Sequence, residues 1–136
     1  MQAFRSYANV TAKTASPETL MVSLFETALR NMRQGADCLA KQQTSAGTAL
    51  LDKAARIVVN LQGVLRPSAA PELADTLREL YTFVAARLTL AICTSDSRYA
   101  REAERAFGPI AEGFIQAARD VQGSGPVTVR QANGGR

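Results

Sequence analysis

Apolar residues recur at intervals of three and four along most of this chain, and that spacing commits a segment to a helix with one buried face. The first such stripe is Leu20, Leu24, Phe25, Ala28, Leu29, Met32, Ala36 and Leu39, and Ser16-Pro17-Glu18 stands at its head. Ser16 suits the capping of free backbone N–H groups. Pro17 suits the first helical position, where its missing N–H costs nothing, and Glu18 complements the positive end of the helix dipole. A helix is therefore predicted from this point, fading near Lys41 before Gln42-Gln43-Thr44-Ser45.

Three further stripes follow. A second helix is expected from about Ser45 to Leu65, with Leu50, Ala54, Ile57, Val58, Leu61, Val64 and Leu65 as its apolar positions. Arg66-Pro67-Ser68-Ala69-Ala70-Pro71 ends it, because each proline disfavours helix in the residue before it. A third helix opens at Pro71-Glu72 and carries Leu73, Leu77, Leu80, Tyr81, Val84, Leu88, Ala91 and Ile92. Thr94-Ser95-Asp96-Ser97 supplies a turn and a cap. The fourth helix then shows Tyr99, Ala103, Phe107, Ile110, Phe114, Ala117 and Val121. Connections this short favour antiparallel neighbours, so the expected fold is all-α: an antiparallel four-helix bundle of up-down topology. Gly108-Pro109 interrupts the last stripe. A kink is expected near residues 105–109, two shorter helices being the other reading.

The expected organisation is a lead segment over residues 1–15, a bundle over 16–122 and a disordered tail over 123–136. The lead is polar apart from Phe4, Tyr7 and Val10, which one helical turn would align. The tail, beginning Gly123-Ser124-Gly125-Pro126, has little to bury.

The 136 residues contain no histidine, which removes the Glu-x-x-His metal sites common in bundles and the usual base for a nucleophilic serine or cysteine. Cys38 and Cys93 lie far apart and read as reduced thiols. No glycine pattern fits a phosphate loop, and Glu102 and Glu104 point to different sides of a helix. An enzyme is not expected, and neither a cofactor nor a metal is implied. No apolar run approaches the roughly 20 residues of a membrane span, and the N-terminus does not read as a signal peptide, so the cytosol is the expected compartment. The net charge is +4, but Arg130 and Arg136 lie in the tail, and the remaining 14 basic and 12 acidic residues are interspersed. A nucleic-acid partner, suggested only by a pI near 9.5, lacks the basic stripe it would need.

What remains is apolar surface. Tyr81 and Phe83 flank the core positions of the third helix, and Val58 and Val59 are adjacent on the second, so both cannot sit at the centre of one seam. Stripes wider than a bundle needs suit the binding of another amphipathic segment. The alternatives are that these residues widen the core, or that they mediate self-association of a structural or regulatory bundle.

Two segments carry a resemblance. Tyr7-Ala8-Asn9-Val10-Thr11, followed by Ala15-Ser16-Pro17-Glu18-Thr19-Leu20, resembles the N-terminal signature of the FliS family, the flagellin-specific export chaperones. Leu80-Tyr81-Thr82-Phe83 and Arg87-Leu88-Thr89-Leu90-Ala91 are similar to the family's third-helix pattern, and Lys53-Ala54 with Ile57, Val58 and Leu61 to its second. Departures are Ala69-Ala70-Pro71 in place of Gly-Gly, Thr76 in place of Asn, and the absence of a tryptophan near the end of helix four. The resemblance implies a bundle that binds the C-terminal segment of flagellin, prevents its premature polymerisation and delivers it to the flagellar type III export gate. By the same resemblance, Phe4, Tyr7 and Val10 would cap a cargo groove or touch partners. Ile57, Val58, Leu61, Tyr81 and Phe83 are the groove candidates.

Overall fold

The structure, a computed structural model, describes residues 16–65 and 70–134, with side chains to Val121. The described residues form four helices, α1 (Pro17–Ala40), α2 (Thr44–Gly63), α3 (Pro71–Thr94) and α4 (Ser97–Gly134), and contain no strand. Each packs against two neighbours, α1 on α2 and α4, and α3 on α2 and α4, which closes a four-helix bundle around one core.

The helix ends follow the local chemistry. Ser16 Oγ accepts the Thr19 N–H at 3.1 Å, and Pro17 and Glu18 occupy the first turn as expected. At the other end of α1, Gln42 takes the left-handed conformation (φ 62°). Its N–H donates to Leu39 O at 3.0 Å and that of Gln43 to Cys38 O at 2.8 Å. This paired closure satisfies two carbonyls that the helix end would otherwise leave free. Ser95 performs the left-handed turn after α3 (φ 56°), and Asp96 Oδ1 accepts the Arg98 N–H at 2.9 Å at the start of α4.

Phe25, Leu29 and Met32 of α1, Leu51, Val58 and Leu61 of α2, Tyr81, Val84 and Leu88 of α3, and Phe107, Ala111 and Ile115 of α4 form the core. Phe107 lies at its centre, fully buried, with its ring 5.7 Å from Phe25 and 6.4 Å from Tyr81. Three expected stripes shift. In α2 it is Leu51, not Leu50, that is buried, and Val64 is exposed. Leu73, at the start of the α3 stripe, is also exposed. In α4 the buried line runs Ala103, Phe107, Ala111, Ile115 at steps of four, leaving Phe114 and Val121 at the surface.

Of the two readings of Gly108-Pro109, α4 follows the single helix: it is continuous there and does not form two shorter helices, although Pro109 deprives the Arg105 carbonyl of its usual donor. In one further respect α4 differs from expectation: the sequence places the helix end at Gln122 and disorder beyond it, whereas helical backbone continues to Gly134. Extension of an existing helix adds a hydrogen bond for each residue fixed, which favours continuation over a fresh start.

Candidate protein-binding surface

The two sides of the bundle are built from different chemistry. Along the seam of α1 and α4, guanidinium and carboxylate groups alternate. Arg101 bonds both Asp37 and Glu104, and Arg33 bonds Glu104 at 3.0 Å and Glu112 at 3.3 Å. Arg119 reaches Glu26 at 3.2 Å. Bonding to Glu104 holds the Arg33 guanidinium above its ordinary pKa, and bonding to Asp37 does the same for Arg101. A network of this kind pins two helices in register, although each half-exposed pair contributes little by itself. A hollow of about 740 Å³ lies over the seam, with Arg30, Arg33, Arg119, Glu26 and Glu112 among its lining groups.

On α3 several large apolar side chains reach the surface among polar ones. Its core stripe, Ala74, Leu77, Tyr81, Val84, Leu88 and Ala91, is accompanied by a second row one position earlier: Leu73, Leu80, Phe83, Arg87 and Leu90. Leu73 is 58% exposed, Phe83 42% and Leu90 38%. On α2, Val59 and Val64 are exposed too, and Ala55, Arg56, Val59 and Asn60 line a shallow hollow of about 220 Å³. Gln62, one turn from Val59, donates across to Thr82 Oγ1 at 2.9 Å, which ties this part of α2 to α3. On the other flank Arg87 donates to Glu102 of α4 at 3.2 Å, and its guanidinium lies over the rings of Phe83 and Tyr99.

The expected site residues divide accordingly. Phe4, Tyr7 and Val10 lie outside the described residues. Ile57, Val58, Leu61 and Tyr81 do not line a groove as the bundle stands: none is more than 4% exposed, and all four belong to the core. Burial also raises the Tyr81 phenol pKa. Only Phe83 reaches the surface. Val59, Val64, Leu73 and Leu90 accompany it at the surface, although the apolar spacing puts Val64 and Leu73 in the buried stripes of their helices.

Among the described residues, no group of three or more His, Cys, Asp or Glu side chains is placed to hold a metal ion. No described helix is long and apolar enough to cross a membrane.

Comparisons with known proteins agree with this architecture. A search of curated protein sequences found no match. Among solved structures, the chain is similar to one described as a crystal structure of a flagellar chaperone from bacteria. The TM-score is 0.66 at 22% sequence identity, covering 88% of this chain and 98% of that one. The family model described as flagellar protein FliS matches residues 1–121, which span all three lower-numbered helices and the side-chain-defined part of α4. The chain belongs to the FliS family of flagellar proteins.

Proposed function

We propose that this protein is a non-enzymatic export chaperone of the flagellum. In this reading it binds the C-terminal segment of flagellin in the cytosol, prevents its premature polymerisation and delivers it to the type III export gate. The observation that carries the reading is the second apolar row on α3. Leu73, Phe83 and Leu90 are exposed although the core beneath them is complete without them. A helix that keeps large apolar side chains outside a finished core has a surface fit for an amphipathic segment. Family membership supports the same reading, and so does likeness to a structure described as a flagellar chaperone.

In this reading Phe83, Leu73 and Leu90, with Val59 and Val64 on α2, meet the bound segment, while Ile57, Val58, Leu61 and Tyr81 support that surface from within; the exposure of the first set and the burial of the second support this division. The lead bearing Phe4, Tyr7 and Val10 covers part of the apolar surface in the free protein and moves aside when cargo binds. A segment that folds on binding loses ordering entropy but covers a large surface, and it needs no cofactor.

Titration with a flagellin C-terminal peptide, followed by circular dichroism, tests the reading. A 1:1 complex with a gain in helicity is expected. Absence of binding at micromolar concentration refutes it, and concentration-dependent self-association in its place points to a self-assembling adaptor. Deleting residues 1–15 tests the covering role of the lead, and an unchanged flagellin affinity refutes that role.

A further inference from the structure

Between α3 and α4 the surface opens into a hollow of about 480 Å³ lined by Phe83, Arg87, Glu102, Arg105 and Ala106. Arg87 is its central group. Its guanidinium lies 5.0 Å from the Phe83 ring centre and 5.8 Å from that of Tyr99, and one Nη1 bond of 3.2 Å joins it to Glu102. A guanidinium carries five N–H donors. Arg87 Nε is buried without a hydrogen-bond partner, a cost that a protein fold usually avoids. Arg105 lines the same hollow from an exposed position, and no carboxylate among the described residues pairs with it. Two guanidinium groups and a single carboxylate, which pairs with Arg87 alone, thus line the hollow beside an exposed aromatic ring.

We propose that this hollow anchors a peptide carboxylate that adjoins an apolar side chain, with Arg87 and Arg105 receiving the carboxylate and Phe83 its apolar neighbour. The inference rests on the chaperone reading and deepens it by naming a polar contact that fixes the register of the bound segment. Three features identify the occupant. The surplus of one positive charge selects an anion, and the paired guanidinium forks suit the planar, two-oxygen geometry of a carboxylate. Glu102 on the rim opposes the second negative charge of a phosphate. Phe83 also belongs to the apolar row that includes Leu73 and Leu90. A helix laid along α3 with its apolar face inward would therefore bring one flank to the hollow.

Two arms test the proposal on the whole protein. In the first, the arginine Nε–H signals are followed by NMR during titration with phenylpropionate, its amide and inorganic phosphate. The carboxylate is expected to shift the signals of Arg87 and Arg105, the amide to leave them in place, and phosphate to act far more weakly. A response that does not depend on the carboxylate, or an equal response to phosphate, overturns the anchor. In the second arm, a flagellin C-terminal peptide is titrated against wild type, Arg105→Gln, Arg105→Lys and Arg87→Gln. Arg105→Gln, at an exposed position, should weaken binding by about tenfold, the scale of one charge-assisted hydrogen bond, and Arg105→Lys should restore part of it. Unchanged affinity in both glutamine variants overturns the anchor and leaves the chaperone reading intact. If wild type fails to bind the peptide, the chaperone reading falls, and the first arm alone decides the anchor.

Discussion

Replacing Gly35 by alanine places a methyl group 2.6 Å from Cδ2 and 2.7 Å from Cγ of Leu51, and 3.2 Å from the carbonyl oxygen of Gly47. Leu51 is fully buried, so its side chain has no free space to enter. The clash must be relieved by moving α1 and α2 apart or by forcing Leu51 from its rotamer, which costs about 1–3 kcal/mol in a packed interior. Against this, alanine is favoured over glycine inside a helix by about 1 kcal/mol. The net effect is a loss of up to about 2 kcal/mol relative to wild type, and of about 1–3 kcal/mol relative to a helical Gly→Ala change that meets no clash. Gly113 supplies the control: it is a helical position with nothing within 4 Å of an added Cβ, so Gly113→Ala keeps the propensity gain without the clash. Urea unfolding of the two variants reads the difference. At a slope of about 2 kcal/mol/M, Gly35→Ala should move the midpoint down by up to about 1 M with an unchanged slope, and Gly113→Ala should move it up. A Gly35→Ala protein as stable as Gly113→Ala would refute the close approach of α1 and α2.

Two further perturbations address the helix ends. Gln42→Gly should stabilise the bundle by roughly 0.5–1 kcal/mol, because glycine avoids the side-chain cost of the left-handed turn but adds chain entropy to the unfolded state; thermal unfolding checks it. Asp96 is held below the usual carboxylate pKa by its side-chain bonds from Arg98 and by the Arg98 backbone N–H. A carboxyl whose folded pKa is depressed contributes stability above its unfolded pKa and loses it as pH falls through the folded value. Asp96→Asn should therefore lower stability at neutral pH and flatten its decline below about pH 4, read from urea midpoints across pH.

The helices were legible in the sequence because their signals are local. Ser16-Pro17-Glu18 marks the start of α1 through groups within one turn of each other, and Pro71-Glu72 marks α3 in the same way. Which of two interleaved apolar rows faces inward was not legible on α3. Leu73, Leu80, Phe83 and Leu90 repeat at nearly the same spacing as Ala74, Leu77, Tyr81, Val84 and Leu88, and only packing against α2 and α4 decides between them. Tyr81 and Phe83 show the consequence, since both looked like surface candidates and only Phe83 is one. The Leu50–Leu51 exchange on α2 has the same origin. Arg87 was visible only as a basic residue in a motif. Its orphaned Nε and its two aromatic neighbours depend on Tyr99 and Glu102, brought to it from the next helix by the Ser95-Asp96 turn.

The central claim, that the outer apolar row of α3 is a cargo surface and not surplus core, is tested most directly with Phe83→Ser/Leu90→Ser in calorimetric titration with a flagellin C-terminal peptide. Both side chains are exposed, so the variant should unfold within about 1 kcal/mol of wild type. Wild type is expected to bind one peptide with a negative heat-capacity change, the mark of buried apolar surface, and the double variant to lose at least about tenfold in affinity. Equal affinity and heat-capacity change in the two proteins would contradict the account.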